Sequence, residues 1–155
     1  MNIGIENKES TAVAKALNQY LADLRTLHTK TQNFHWNLIG ANFFTLHEKY
    51  EEFYDFLAEE IDTIAERILS LGQRPLASLK DFLSITEINE VPSTPIDGPN
   101  SAKQVLDDFE YIIRLLRDSI SVAEDNNDPG TADMLTASIE NYEKHTWMLR
   151  AYLAQ

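Results

Sequence analysis

The chain of 155 residues contains no cysteine, and this absence removes several kinds of chemistry at once. Without thiols the chain cannot form disulfides, hold an iron–sulfur cluster or carry out thiol catalysis. Glycine and proline are also scarce, with five of each, and six of these ten lie between residues 72 and 100. Because these two residue types are the main helix breakers, long helices are permitted in the rest of the chain.

Positively charged residues are also scarce in this chain. Thirteen lysines and arginines stand against 25 acidic residues, which gives a net charge of −12. A surface of this sign repels nucleic acid and anionic membranes and attracts cations. The sequence also lacks a basic leader and any apolar run near the roughly 18 residues of a transmembrane helix. We therefore expect a soluble cytoplasmic protein with no membrane contact and with cations as partners.

Apolar residues recur with the period of an amphipathic helix in four long segments. We label the predicted helices A to D; they cover residues 11–38, 43–71, 102–125 and 131–153. Gly40 is a plausible end signal for helix A and Asn42 a plausible cap for helix B. The length and the hydrophobic fraction of 43% suit one globular domain over residues 1–155.

A connector of about 29 residues separates helices B and C, whereas the A–B and C–D turns are short. Its glycines and prolines break any long helix, but residues 77–83 could form a short one. Two short turns around one long crossover are typical of the ferritin-like variant of the four-helix bundle, in which helices B and C lie parallel. The sequence therefore predicts an all-α, ferritin-like four-helix bundle with a short helix in its B–C crossover.

Five of the metal-binding types of side chain in helices A and B form a candidate ligand set: His35, His47, Glu51, Asp62 and Glu66. His47 pairs with Glu51, and Asp62 pairs with Glu66, at the i,i+4 spacing that puts two side chains on one helix face. Imidazole nitrogen with carboxylate oxygen suits iron, zinc or manganese, and does not suit Cu(I). The pattern indicates a metal-handling protein.

The four donors of helix B lie on a face of their own. At about 100° per residue, with Leu46 at 0°, they fall between about 100° and 200°, away from the apolar stripe. Glu51 and Asp62 are about 16 Å apart along the helix axis, so one ion cannot contact both. Either each pair serves a separate site in one chain, or an antiparallel copy of helix B brings Asp62 and Glu66 to His47 and Glu51. A two-fold axis between residues 56 and 57 would produce the second arrangement, which we favour.

The usual di-iron helical bundle is a competing architecture, and it requires Glu-x-x-His pairs on facing helices. None of the four histidines follows a glutamate at this spacing, since the residues three positions earlier are Arg25, Gln32, Phe44 and Tyr142. That motif is absent. His28 and His145 have no ligand partner at i,i+4, and we interpret them as core or surface residues.

Three segments resemble the signature of a known family. Residues 33–37 read Asn-Phe-His-Trp-Asn, residues 44–51 read Phe-Thr-Leu-His-Glu-Lys-Tyr-Glu, and residues 60–67 read Glu-Ile-Asp-Thr-Ile-Ala-Glu-Arg. They are similar to the Dps family, the mini-ferritins also called DNA-binding proteins from starved cells. The resemblance implies a homo-oligomeric, dodecameric shell that protects against oxidative damage. Such a shell oxidises Fe(II), preferentially with hydrogen peroxide, at ferroxidase centres on two-fold interfaces and stores ferric mineral inside.

On the matching positions, the resemblance implies that His35, His47 and Glu51 come from one subunit and Asp62 and Glu66 from its partner. Iron is the implied metal, and Zn²⁺ is a candidate for the same position. These residues would make the protein a ferroxidase, an oxidoreductase that oxidises metal ions.

Glu51 and Trp36 are the two positions at the implied centre that bear on its metal spacing and its electron transfer. Glu51 stands where many family members have aspartate, a change of one methylene that should keep ligation and alter metal spacing. Trp36 matches a tryptophan thought to intercept oxidising equivalents, and simple packing of a large aromatic side chain is the alternative.

The alternative function is compaction of the nucleoid, with iron handling secondary. DNA binding through counterion release requires clustered lysine or arginine, typically on a mobile tail in this family. Residues 1–10 carry only Lys8, beside Glu6 and Glu9. We therefore do not expect direct DNA binding, and a bridging cation is the remaining route. A third reading, a helical oligomer with no activity, predicts no iron-dependent absorbance.

Overall fold

The computed structural model describes residues 3–154, which contain four long helices and one short helix. The helices are α1 (Asn7–Asn37), α2 (Phe43–Ser70), α3 (Leu79–Ile85), α4 (Gly98–Asp125) and α5 (Pro129–Leu153). The all-α bundle with a short helix in its long crossover is thus as predicted. Among the described residues, no helix has both the length and the hydropathy needed to cross a lipid bilayer.

Contacts at the two ends of the bundle show the direction of its helices. α1 packs on α2, and α4 packs on α5. At one end the Tyr50 hydroxyl lies 2.7 Å from the Ser101 hydroxyl, near the starts of α2 and α4. At the other end Arg67 lies 2.6 Å from Asp128, near the ends of both helices. α2 and α4 therefore run parallel, as the ferritin-like crossover requires.

Helices α4 and α5 begin a few residues before their predicted starts at 102 and 131, for the same reason. Pro99 and Pro129 occupy the first turn, where no intrahelical partner is needed for the missing N–H. The side chain of the preceding Asp97 or Asp128 accepts a hydrogen bond from the backbone N–H three residues later. Proline at these positions therefore marks a helix start, whereas the sequence pattern alone places Pro99 among the helix breakers of the crossover and Pro129 in the C–D turn.

Three smaller features also differ from the prediction. α1 begins at Asn7, four residues before the predicted start, and the Glu9 carboxylate accepts from the Glu6 backbone N–H. α3 lies two residues later than predicted because Ser78 caps it, accepting from the Asp81 N–H. A pair of two-residue parallel strands, β1 (Leu38–Ile39) and β2 (Ile96–Asp97), was not predicted, since two residues are too few to show a period.

A network of buried hydroxyls fixes the rotation of α2 about its own axis. The Glu60 carboxylate accepts hydrogen bonds from the Tyr20 hydroxyl at 2.8 Å and the Ser138 hydroxyl at 2.7 Å. The Tyr20 and Tyr142 hydroxyls lie 3.1 Å apart. Burial raises the pKa of both tyrosines well above the ordinary value, so both phenols stay protonated. Because these hydrogen bonds hold the partly buried Glu60 toward α1 and α5, the opposite face of α2 is turned outward.

Asp23 is a fully buried carboxylate that fixes the path of the crossover. One of its oxygens accepts from the Thr86 hydroxyl and the Glu87 backbone N–H, both at 2.8 Å. The other accepts from Gln19 at 3.0 Å and from the Tyr111 hydroxyl at 2.9 Å. A buried carboxylate is tolerated only with partners of this kind. Asp23 therefore joins α1, the segment after α3, and α4.

We expect Asp23→Ala to destabilise the protein by about 3 kcal/mol, because it leaves four partly buried donors without their acceptor. Asp107→Ala is the matched control, since Asp107 is an exposed aspartate whose partner is the surface residue Lys103. Thermal denaturation at one fixed subunit concentration compares the variants with the unmodified protein. Equal melting temperatures for the two variants would contradict this role of Asp23.

Candidate metal centre

His35 near the end of α1 and His47 near the start of α2 form a stacked pair. Their ring centroids are 3.7 Å apart, with 18° between the planes. Nδ1 of His35 lies 2.7 Å from the His47 carbonyl oxygen, and Nδ1 of His47 lies 2.9 Å from the His35 carbonyl oxygen. Since a carbonyl only accepts, each Nδ1 carries the hydrogen. In this tautomer the lone pair of each ring is on Nε2, the atom that can bind a metal.

The turn between α1 and α2 sets the position of these two rings. Gly40 has φ of 102°, a backbone conformation that other residues rarely adopt. The Phe43 N–H donates to the Gly40 carbonyl at 3.2 Å, and β1 pairs with β2 just before the glycine. This short, fixed turn places two histidines that are 12 positions apart in the sequence against each other.

Aromatic side chains support the histidine pair on two sides. The Phe43 ring stacks on His47, with centroids 5.0 Å apart and 20° between the planes. The Tyr54 ring meets His35 edge-on, with centroids 5.3 Å apart. Burial, assisted by the nearby Glu51 carboxylate, raises the pKa of the Tyr54 hydroxyl, so this phenol is neutral at neutral pH. Packing of this kind restricts ring rotation and holds each Nε2 in one direction.

Sequence reasoning missed Phe43 and Tyr54 as supports of the site. Phe43 lies four residues before His47 on the same helix, and this spacing alone could have identified it. Tyr54 shows no such signal toward His35, because the two residues belong to different helices. Its contact with His35 depends on how α1 and α2 pack.

The three predicted carboxylate ligands lie on the exposed side of α2. Glu51, Asp62 and Glu66 are all exposed, whereas His35 is buried and His47 is partly buried. Within residues 3–154, no three histidines, aspartates or glutamates come together in a group that could hold a metal. Within the described part of the chain, the fold thus brings the two histidines together and gathers none of the three carboxylates with them.

Trp36 lies beside the histidine pair and points away from the core. Its side chain is 68% exposed, so packing inside this subunit does not explain it. Ile39, in the following turn, is 54% exposed. The surface next to His35 is therefore apolar.

The two remaining histidines lie outside the stacked pair. His28 meets Tyr54 edge-on at 5.9 Å, and His145 meets Phe53 edge-on at 4.9 Å. Both are partly buried, and burial is the main reason why their pKa values fall below the ordinary value. Both therefore serve in packing, within the core-or-surface interpretation made from the sequence.

The chain is similar to known proteins over nearly its whole length. Residues 14–155 match the family model described as a ferritin-like domain. DNA protection during starvation protein 2 of Bacillus anthracis is 41% identical over 143 residues, which cover 92% of this chain and 97% of that protein.

Solved structures give the same answer for the fold. A Dps protein from Bacillus brevis matches with a TM-score of 0.92 and 40% identity, covering 96% of this chain and 99% of that one. The Dps protein from Vibrio cholerae O1 matches with a TM-score of 0.94 and 37% identity, covering 99% and 96%. That protein is described as a member of a broad superfamily of ferritin-like diiron-carboxylate proteins. The predicted ferritin-like fold is confirmed.

We expect a His35→Ala/His47→Ala variant to lose high-affinity Zn²⁺ binding, because it lacks both free Nε2 atoms. Isothermal titration calorimetry measures the binding. A His28→Gln/His145→Gln variant is the control, since it removes the same number of histidines outside the pair. Equal Zn²⁺ affinity in the two variants would contradict the assignment of the pair as ligands.

Proposed function

Because the chain belongs to the Dps family of ferritin-like proteins, we propose that it oxidises Fe(II) and stores the ferric product in a homo-oligomeric shell. The proposed catalytic centres lie between subunits related by two-fold axes. Each centre takes His35, His47 and Glu51 from one subunit and Asp62 and Glu66 from its partner. The full assembly we propose is a dodecamer, the form that the family resemblance implies.

The observation that carries this proposal is the symmetric placement of the donors on α2. His47 and Glu66 are equally far from the midpoint between residues 56 and 57, and so are Glu51 and Asp62. All four lie in the same sector of the helix, opposite the partly buried Glu60. A second α2 packed antiparallel at this midpoint therefore places His47 and Glu51 beside the missing carboxylates, twice per dimer.

The alternative of separate sites within one chain lacks donors. Asp62 and Glu66 have no histidine beside them among the described residues, and the histidine pair gathers no third ligand. A partner subunit supplies what each half lacks. The shared site would have two imidazoles and three carboxylates, a donor set suited to iron, with Zn²⁺ as a competitor for the same atoms.

The chemistry we propose is a two-electron reduction of hydrogen peroxide. Two Fe(II) ions each give one electron, the O–O bond breaks, and the products are two Fe(III) ions and two hydroxide ions. A single Fe(II) ion would give one electron only and release a hydroxyl radical. Carboxylates favour Fe(III) over Fe(II), and positions left open by the five side chains would admit the peroxide.

Trp36 has a proposed role in the same reaction. Its exposed indole follows His35 directly in the sequence, so it is placed to give the second electron to peroxide when only one Fe(II) ion has reacted, leaving a one-electron-oxidised indole in place of a free hydroxyl radical. The acidic balance of the chain would draw Fe(II) toward the shell and help to retain it.

Two defective variants should complement each other if the centres are shared. A His47→Ala/Glu51→Ala subunit and an Asp62→Ala/Glu66→Ala subunit should each be inactive alone. In a mixed two-fold pair, one site carries all four changes and the other carries none. Random pairing makes half of the dimers mixed, so about a quarter of the normal ferroxidase sites should return on co-assembly. Stopped-flow absorbance of Fe(II) oxidation by peroxide measures the recovery.

The matched control combines two variants that are defective on the same side of the site. Co-assembly of the His47→Ala/Glu51→Ala subunit with a His35→Ala subunit leaves every site defective, so no activity should return. Mass spectrometry confirms that mixed shells have formed. If mixed shells of the complementary pair stay inactive, the shared-site model is wrong.

Nucleoid compaction is not favoured by the surface charges. No two of the 13 basic residues are adjacent in the sequence. Six of them are in ion pairs with acidic side chains: Lys30, Lys49, Arg67, Lys103, Arg117 and Arg150. Clustered, free cations are what binding to DNA phosphates requires.

We expect no retardation of plasmid DNA at neutral pH and physiological salt without added divalent metal. The reason is the repulsion between the phosphates and a chain of net charge −12. Gel electrophoresis checks this, and a parallel lane with Mg²⁺ tests whether a bridging cation restores binding. A retarded band in the metal-free lane would show that the charge argument is wrong.

A further inference from the structure

Two large apolar side chains on the donor face of α2 are exposed in the single subunit. Phe44 is 80% exposed and Leu69 is 49% exposed. At about 100° per residue, both fall in the sector that contains the four α2 donors. They are about 37 Å apart along the helix, so they cannot touch within one chain.

The positions of these two residues follow the same symmetry as the donors. Phe44 and Leu69 are equally distant from the midpoint between residues 56 and 57, as His47 and Glu66 are. Each lies three residues beyond a donor, which is about 4.5 Å farther from the midpoint. An antiparallel copy of α2 would therefore set Phe44 against Leu69 of the partner subunit, at the end of the site that holds the histidines.

The surroundings of Phe44 agree with an apolar contact at this place. Its ring meets Phe43 edge-on at 5.5 Å, and Phe43 in turn stacks on His47. The exposed Trp36 and Ile39 lie in and after the end of α1, which packs against this part of α2. A leucine from a second subunit would complete an apolar enclosure around the histidine pair.

We propose that Phe44 of one subunit and Leu69 of the partner subunit form an apolar cap over the outer end of each metal site. The cap rests on the proposed function, because it uses the same two-fold axis. It excludes water from the imidazole end and leaves the carboxylate side as the route for ions. The partner on this face of α2 is a second copy of this chain, because Phe44 and Leu69 are placed symmetrically about the midpoint between residues 56 and 57.

Cross-linking tests the contact directly, because the chain has no cysteine of its own. In a Phe44→Cys/Leu69→Cys variant, a short bis-maleimide should join two subunits into a covalent dimer on a denaturing gel. The control is Phe44→Cys/Leu83→Cys, in which Leu83 is a leucine of similar exposure on α3, at 53%. The control should remain monomeric on the gel. A monomeric band from the first variant, in shells that have assembled, would overturn the cap.

Removal of metal by a chelator tests what the cap does. Shells loaded with Co²⁺ should lose it to EDTA several-fold faster after Phe44→Ala or Leu69→Ala, whereas Leu83→Ala should not change the rate. The double variant should be no faster than the faster single one, because the two residues act as one contact. Unchanged rates in both single variants, or additive effects in the double variant, would overturn the cap.

The two proposals can fail separately. Cross-linking needs no metal, so a covalent dimer that shows no Fe(II) oxidation would support the contact and contradict the ferroxidase. Recovered activity in mixed shells without a cross-link would support the ferroxidase and overturn the cap.

Discussion

The fixed rise of an α-helix is the constraint on which the proposed site depends. α2 runs without a break from Phe43 to Ser70, so Glu51 and Asp62 stay about 16 Å apart whatever the side chains do. No side-chain rotation brings them to one ion. α2 carries His47 and Glu51 toward one end and Asp62 and Glu66 toward the other. Each pair therefore needs a second α2 to complete a metal site, and in the proposed dimer an antiparallel partner completes both.

The face of α2 that is turned outward is set by hydrogen bonds on the opposite face, around Glu60. Glu60 accepts from the hydroxyls of Tyr20 on α1 and Ser138 on α5, and the Tyr142 hydroxyl, also on α5, lies beside that of Tyr20. Breaking this network would leave buried polar groups without partners, so the rotation of α2 has a strong preference. A single rotation of α2 about its axis therefore places the hydrogen-bond network inside and the metal donors outside.

The orientation of the two histidine rings is fixed by the protein before any metal binds. Each ring donates through Nδ1 to the backbone carbonyl of the other residue, so the same two hydrogen bonds fix both tautomers and both ring directions. Those bonds exist because Gly40 permits a tight turn between α1 and α2. Both Nε2 atoms are therefore held in fixed directions before a metal binds, and binding requires little further ordering of the protein.

The sequence by itself determined the four long helices, the parallel crossover and the face of α2 that carries the donors. Each depends on periodicity within one segment, which local side chains set. The resemblance in residues 33–37, 44–51 and 60–67 identified the family. Tertiary structure alone decided the stacking of His35 on His47, the support from Tyr54 and the burial of Asp23. The reason is that each of these contacts joins residues far apart in the sequence, and such contacts depend on how whole helices pack and not on the period of any one of them.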